Sequence, residues 1–492
     1  MLSASFGTNV LKLLSSKIAS QAISFITAPI IARIFLPEHF GTVQLFSSIS
    51  GVIVVISCLR YELSIPLGRD KNEVIASFVI SIISALAIAL LSFVAVLILK
   101  AKVAVWLKSP ELEAFLWFLP LTVLLGGIGN AIRYYASRSG KFGAMAWADF
   151  GSIAGNMLLT ILFGLIFGAS AMFLFIGQIT GMVLSILILF IFLSREFLSE
   201  AKTVNLSLRD IWEVAKYHKK FPIYSTWSGL FNSTSMQLPP IILGAYFSTT
   251  VVGYYSLGQR FVGLPMSLLG GSIAQVFFPS AAKEYNETGK LTNIVNSTFK
   301  RLVQIGIFPF MILGFFGGPL FGFVFGNNWV EAGVYAQILS IYVLFQFISS
   351  PLSTVFSIYN RQGTFLFLSL SQLINRMIAL ILFAQFGVAR NCLIAYSAVS
   401  SIFYILILYF VFRFSKAFIS SGMKVLVKYA ILSFILLLPV LFISKIINNI
   451  YFTLISLVID AMLYLFILYR LDLDIRNVMH RISSKILLGR LW

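Results

Sequence analysis

The chain has 492 residues, 59% of them hydrophobic and only 11% charged. A soluble fold is about 45–50% apolar and about 25% charged, so this composition excludes a soluble globular protein, a disordered chain, a coiled coil and a secreted disulfide scaffold. The 36 Lys and Arg outnumber the 17 Asp and Glu for a net charge of +19; in a polytopic membrane protein such an excess marks cytoplasmic loops rather than a nucleic-acid partner.

A helix needs about 20 mostly apolar residues to cross a bilayer. About fourteen runs qualify, roughly 11–35, 41–59, 74–99, 113–137, 144–167, 169–193, 221–247, 251–278, 302–325, 334–359, 364–387, 391–412, 425–446 and 450–469. Strand-like alternation does not recur at barrel spacing. The expected fold class is therefore an all-α polytopic membrane protein.

The loops then orient the spans. With the N-terminus cytoplasmic, about 23 basic loop residues fall on that side against about 5 on the other. The first group includes Arg69, Lys71, Arg138, Lys141, Lys216, Lys219, Lys220, Lys300, Arg301, Arg413 and Lys416; the second is Lys100, Lys102, Lys108, Arg390 and Lys445. Both termini are expected to be cytoplasmic. The N-terminal run MLSASFGTNVLKLL lacks a charged n-region and a small-residue cleavage site, so no cleaved signal peptide is expected. Cys58 and Cys392 are far apart in apolar stretches, and neither a disulfide framework nor a metal site follows.

The longest interior polar stretch, 194–220, divides the chain. The expected organisation is an N-terminal six-helix bundle over 1–193, a cytoplasmic linker over 194–220, a second six-helix bundle over 221–414, and two further spans with a basic cytoplasmic tail over 415–492. A short repeat supports parallel halves. Pro29-Ile30-Ile31 followed by Phe40-Gly41 returns as Pro240-Ile241-Ile242 followed by Val252-Gly253, at an offset of about 211 residues. Chance likeness between hydrophobic segments is the competing explanation. Transporters often place a site between two such halves.

The chain carries no GxxxxGK[ST], HExxH or GxSxG motif, and no external loop is long enough for an enzyme working on lipid-linked sugars. No enzyme activity and no cofactor are expected. His39, His218 and His480 are scattered in loops and tails and read as solvated interface residues.

Ionisable groups inside spans are costly and mark cavities or partners. Arg260 and Arg376 lie deep in the eighth and eleventh spans, Arg33 near the outer end of the first, and Arg133 near the inner end of the fourth. Guanidinium groups suit phosphate and carboxylate. These four are the candidate substrate-binding cations. A structural account stands beside this one, in which Arg133 pairs with Asp149, Arg60 with Glu62, and Arg33 reaches outward to the interface. Gln44, Gln237, Gln372 and Asn375 are candidate polar cavity residues, or bonds between helices. Asp149 and Asp460 are candidate ion-coupling carboxyls, with Asp149 equally a partner for Arg133. The 48 Phe residues read as packing and lipid-facing groups.

The run APIIARIFLPEHFG from Ala28 to Gly41 resembles the start of the polysaccharide-export flippases, and Leu59-Arg60-Tyr61-Glu62 continues the likeness. Lys216-Tyr217, Phe221-Pro222, Asn232, Gln237-Leu238-Pro239, Gly253-Tyr254-Tyr255, Leu264-Pro265, Phe325-Gly326-Asn327-Asn328-Trp329 and Ala332-Gly333 follow in order. Over residues 10–420 the chain is similar to the Wzx-type lipid-linked oligosaccharide flippases of the multidrug/oligosaccharidyl-lipid/polysaccharide exporter superfamily.

The resemblance implies two six-helix bundles in a V with two appended helices. It implies movement of an undecaprenyl-pyrophosphate-linked oligosaccharide from the inner to the outer leaflet of a bacterial inner membrane, by alternating access driven by a proton or sodium gradient, for O-antigen, capsule or exopolysaccharide. A polysaccharide polymerase and a chain-length regulator are then candidate partners. Of the arginines, only Arg33 lies inside the recognisable run. The alternative is an ion-coupled multidrug antiporter of the same superfamily, which would call for embedded carboxylates to meet organic cations.

Overall fold

The computed structural model describes residues 4–471 other than 205 and 448. The helices in chain order are α1 (Ala4–Ile34), α2 (Pro37–Val54), α3 (Lys71–Trp106), α4 (Pro110–Leu116), α5 (Leu119–Arg138), α6 (Phe142–Phe167), α7 (Ala171–Lys202), α8 (Leu208–Tyr217) and α9 (Thr226–Tyr246). They continue as α10 (Thr249–Val262), α11 (Gly271–Thr288), α12 (Thr292–Phe325), α13 (Val330–Leu352), α14 (Val355–Ile358), α15 (Gln362–Ala384), α16 (Ala389–Ser415), α17 (Ile419–Ile447) and α18 (Ile450–Leu471). No strand occurs among the described residues. The protein is an all-helical, multi-pass membrane protein.

Each expected span coincides with a helix or an interrupted helix. Among the described residues nine helices are long and apolar enough to cross a membrane, and ten if a bent pair counts as one span. The expected fourteen are not reached on that measure, because several segments are broken or polar. The fourth expected span is α4 and α5, bent by 53°; Pro120 in the first turn of α5 cannot donate to the preceding turn. The seventh begins with a π-helical turn, Phe221–Ser225, containing Pro222, and α9 carries Pro239 and Pro240. The eighth is α10, a π-helical turn Met266–Gly270 after Pro265, and α11. Local π geometry is a common accommodation of such disruption.

The polar stretch 194–220 is largely helical. α7 runs through it to Lys202, and α8 is started by a capping box in which Ser207 and Asp210 satisfy each other's backbone donors. Those hydrogen bonds hold the Asp210 carboxyl below the usual aspartate range. The basic tail from residue 472 on, including His480, lies outside the described residues.

The chain packs as two units. The first is the chain up to Gly258 with Val324–Ala332 and Leu373–Ala395. Its core joins Val74 of α3, Ala131 and Tyr135 of α5, Ala148 of α6 and Leu189 of α7. α6 and α7 approach closely at Gly177, where a Cβ would lie 2.8 Å from Asn156 Oδ1, and at Gly181, where one would lie 2.7 Å from the Ser152 carbonyl. Small residues permit such close approach between membrane helices, where packing replaces the hydrophobic drive. α8 docks on this unit through the Tyr61 hydroxyl, which donates to the Ala215 carbonyl at 3.2 Å.

The second unit is Gln259–Phe323, Gly333–Gln372 and the described residues from Tyr396 to Leu471. α17 and α18 form a hairpin tied to α12. Gln304 Nε2 donates to the Tyr429 hydroxyl at 2.6 Å, the Tyr464 hydroxyl donates to the Gln304 carbonyl at 2.8 Å, and Phe308 stacks on Tyr464 at 4.5 Å.

Candidate functional site

The polar side chains of α2 are hydrogen-bonded within the helix and to a neighbour. Gln44 Nε2 donates to Ser48 Oγ at 3.2 Å, one turn on. Ser47 and Gln178 of α7 are bonded at 3.1–3.2 Å. On another face α2 lies against α9. Ser233 Oγ donates to the Gly51 carbonyl at 3.2 Å, and Gln237 Nε2 sits 3.2 Å from where a Gly51 Cβ would be. Gln237 therefore stands at the α2–α9 seam, and Gln44 is a hydrogen-bonding residue within α2.

After α2 the backbone turns sharply. Leu59 and Arg60 both adopt left-handed conformations, φ 49° and 62°, which cost roughly 1–2 kcal/mol each for a residue with a Cβ. The turn sends Arg60 toward α9, where a Cβ on Gly229 would lie 2.6 Å from Arg60 Nη2. It also buries Glu62 in a 3-10 turn, Tyr61–Leu67, with 1% of its surface exposed. Arg60 Nη1 lies 3.6 Å from Glu62 Oε1, and the buried Glu62 Oε2 has no hydrogen-bond partner among the described residues. Burial pushes the Glu62 carboxyl above the usual glutamate range, and the neighbouring Arg60 only partly offsets this. The sequence pairs these residues; it does not reveal that the carboxylate is buried and half-satisfied.

The other end of the seam is closed. Gly41 in α2 and Gly253 in α10 pack reciprocally: a Cβ on Gly41 would run into the Thr249 carbonyl, and one on Gly253 into the Pro37 carbonyl. Beside them Trp329, 1% exposed, packs edge-on to Phe40 at 4.9 Å and to Tyr254 at 6.2 Å. Its Nε1 donates to the Ala32 carbonyl at 2.7 Å, capping a carbonyl in the last turn of α1 that has no helical partner. Arg390 and Glu331 form an ion pair. Three segments of the resemblance, around residues 28–41, 253–255 and 325–329, thus meet in one place.

The sequence-derived candidates are distributed as follows. Arg133 Nη2 is bonded to Asp149 Oδ1 at 2.6 Å and donates to Ser185 Oγ at 2.9 Å. Both charged side chains remain about one-third exposed, at 33% and 28%. Of the two readings left open for Asp149, the pairing with Arg133 is the one the geometry contains. Arg33 is exposed in the last turn of α1. Arg376, 6% exposed, and the exposed Asn375 lie on α15 in the first unit. Gln372, half-buried on the same helix, and Arg260, exposed on α10, belong to the second unit. Asp460 on α18 is 8% exposed, and its Oδ2 has no hydrogen-bond partner among the described residues.

One expectation is corrected. His218 is not solvated: it is 7% exposed, with Nε2 2.8 Å from Glu73 Oε1, because α8 folds back onto α3. His39 is half-buried, and its Nδ1 accepts from the Leu36 amide at 3.3 Å.

Comparison with known proteins follows the same lines. Residues 30–334 match the family described as polysaccharide biosynthesis protein. The chain is 24% identical over 344 residues to the succinoglycan biosynthesis transport protein ExoT of Rhizobium meliloti (strain 1021), a match covering 69% of this chain and 66%, just under two thirds, of that protein's length. Among solved structures, the lipid II flippase MurJ in an inward closed conformation superposes with a TM-score of 0.71 at 14% identity, covering 93% of this chain and 98% of that one. An inward-facing multidrug-resistance transporter of the MATE family gives 0.62 at 14% identity, over 82% and 98%. The likenesses to solved structures show that this chain shares their fold. The chain belongs to the polysaccharide biosynthesis protein family, a member with the fold of a multi-helix flippase.

Proposed function

We propose that this protein is a flippase that carries undecaprenyl-pyrophosphate-linked oligosaccharide from the cytoplasmic to the outer leaflet of a bacterial inner membrane, by alternating access between two six-span bundles. Both termini are cytoplasmic in this reading. The observation that carries it is the α2 seam: a polar line with a buried carboxyl group at its basic end and a reciprocal glycine contact at its charge-poor end, with Glu62, Gly41 and Gly253 lying in segments that carry the resemblance. A pathway that opens and closes needs an interface with close backbone packing and few side chains to rearrange.

Arg33, Arg133, Arg260 and Arg376 supply the cations for the pyrophosphate, and Gln44, Gln237, Gln372 and Asn375 supply hydrogen-bonding groups for sugar or helix. A proton or sodium gradient drives the cycle, with Glu62 joining Asp149 and Asp460 as candidate coupling carboxyls. A polymerase and a chain-length regulator act on the product.

The test is deletion in a polysaccharide-producing host with no redundant flippase, followed by complementation. Loss of surface polymer with accumulation of unflipped lipid-linked units is expected; normal polymer in the deletion strain overturns the proposal. Arg376→Ala is expected to abolish complementation at normal abundance, with partial rescue by Lys. The multidrug antiporter is the second reading, favoured by the MATE likeness. The bond from Asp149 to Arg133 weighs against it, since a carboxylate engaged by an arginine is a poor site for an organic cation. Drug resistance on overexpression that is lost in Asp149→Asn would favour it.

A further inference from the structure

The two faces of α9 differ in character. Gly229, Ser233 and Gln237 recur every four residues and form the face seated on α2, where they meet Arg60 and Gly51. Trp227 and Phe231 lie two positions earlier in each turn, so at about 100° per residue they point to the opposite side. They are 56% and 48% exposed. Ser228 and Asn232 beside them are exposed as well, and the half-buried Ser235 continues the row one turn further on.

A face that meets lipid has a different composition. In α3 every exposed residue from Ile83 to Leu99 is apolar, and Ser84 and Ser92 are buried. In α9 a hydroxyl and a carboxamide stand in the exposed row of an expected span, where hydrocarbon would leave them without partners. A belt at the headgroup level accounts for Trp and Tyr near the end of a span. The row from Trp227 to Ser235 runs deeper than such a belt, about 12 Å along the helix at a rise of about 1.5 Å per residue. This face therefore borders an aqueous route.

The chemistry of the row is neutral and two-sided. Residues 221–246 contain no Lys, Arg, Asp or Glu. The ring centres of Trp227 and Phe231 are 6.3 Å apart with their planes inclined by 33°, so the two rings form one continuous π surface. The hydroxyl and amide groups beside it can both donate and accept. A sugar ring has the matching surface. Its polarised C–H face packs on the negative face of an aromatic ring, and its hydroxyls need both donors and acceptors. A pyrophosphate calls for cations, which this row lacks, and an acyl chain would leave the polar groups unmet.

We propose that the outward face of α9 is a saccharide platform, on which Trp227 and Phe231 stack against sugar rings while Ser228 and Asn232 hydrogen-bond their hydroxyls. The inference rests on the flippase reading above, and it separates recognition of the carried sugar from the arginines that meet the pyrophosphate. The contacts of the opposite face with α2 hold the platform in a fixed orientation, which lowers the cost of binding.

The test uses the full-length protein purified in detergent and native mass spectrometry with two probes. One is the lipid-linked oligosaccharide that accumulates in the deletion host, and the other is undecaprenyl pyrophosphate without sugar. Trp227→Ala, Phe231→Ala and Asn232→Ala are each expected to weaken retention of the first probe about tenfold, and Trp227→Phe to weaken it less. All four variants are expected to hold the second probe, and to melt, like the wild type, because the altered side chains are exposed. Wild-type retention of the oligosaccharide lipid in all three alanine variants overturns the platform and leaves the flippase reading standing. Equal retention of the two probes by the wild type, or equal loss of both in the variants, does the same. Absence of accumulated lipid-linked units in the deletion host overturns the flippase reading, and the platform falls with it. Loss of tetraphenylphosphonium binding in the alanine variants, with the oligosaccharide lipid still held, identifies an aromatic site for organic cations and overturns the saccharide assignment.

Discussion

Gly41 and Gly253 each lie one helical turn past a backbone carbonyl that the other glycine covers. Gly41 packs on Thr249 and Gly253 on Pro37, so α2 and α10 cross with each helix serving the other in the same way. A Cβ at either position meets a carbonyl oxygen, and backbone cannot move aside as a flexible side chain can.

Gly41→Ala and Gly253→Ala are therefore expected to destabilise the protein by roughly 1–3 kcal/mol, the usual cost of overpacking. Thermal unfolding in detergent measures this. Gly143→Ala is the control, since nothing lies within 4 Å of its would-be Cβ; in a helix that change is expected to be neutral or stabilising by up to about 1 kcal/mol. Equal melting temperatures for all three variants would remove the reciprocal contact as an energetic feature.

Trp329 caps the end of α1 through its indole N–H. Trp329→Phe keeps most of the packing and leaves the Ala32 carbonyl buried without that donor, at an expected cost of about 1–3 kcal/mol. Trp329→Ala also opens a cavity and is expected to cost roughly 3–5 kcal/mol. If the Phe variant melts like the wild type, water or another donor replaces the bond.

Glu62 gives a pH signature. Its folded carboxyl is held above the usual glutamate value, so the folded state binds the proton more tightly than the unfolded chain. Stability is then expected to fall as pH rises from the ordinary glutamate range through the raised folded value. Glu62→Gln removes that titration, so its melting temperature should lose this part of the pH dependence and equal or exceed the wild type above it. A parallel pH profile for the two proteins would count against the buried charge.

Arg133 and Asp149 are expected to show coupling in a double-mutant cycle with alanine, about 0.5–3 kcal/mol for residues in direct contact. Their partial exposure places the value toward the lower part of that range. Additive single effects would mean that the two act separately, and would restore Asp149 as an independent carboxyl.

Sequence and structure divide this protein along a physical line. Transfer into lipid is costed residue by residue, so hydropathy alone located the apolar helices and the helical class. Three of the five basic residues that the sequence assigns to the charge-poor side are engaged: Lys100 with Glu113 at 2.6 Å, Lys108 with the Tyr246 carbonyl at 2.7 Å, and Arg390 with Glu331. The motif residues were also legible as a pattern, Gly41 and Gly253 among them.

What each of them touches was not legible. Contacts such as Trp329 with Ala32, Gly41 with Thr249, or Arg60 with the space left by Gly229 join segments far apart in the chain. The burial of Glu62 follows from two left-handed residues and from the helices around it, and no local composition encodes that. Sequence by itself determined where the apolar helices lie, because transfer free energy is local and additive. Only the tertiary structure decided which charges are paired, buried or exposed, because that depends on which distant helix arrives alongside.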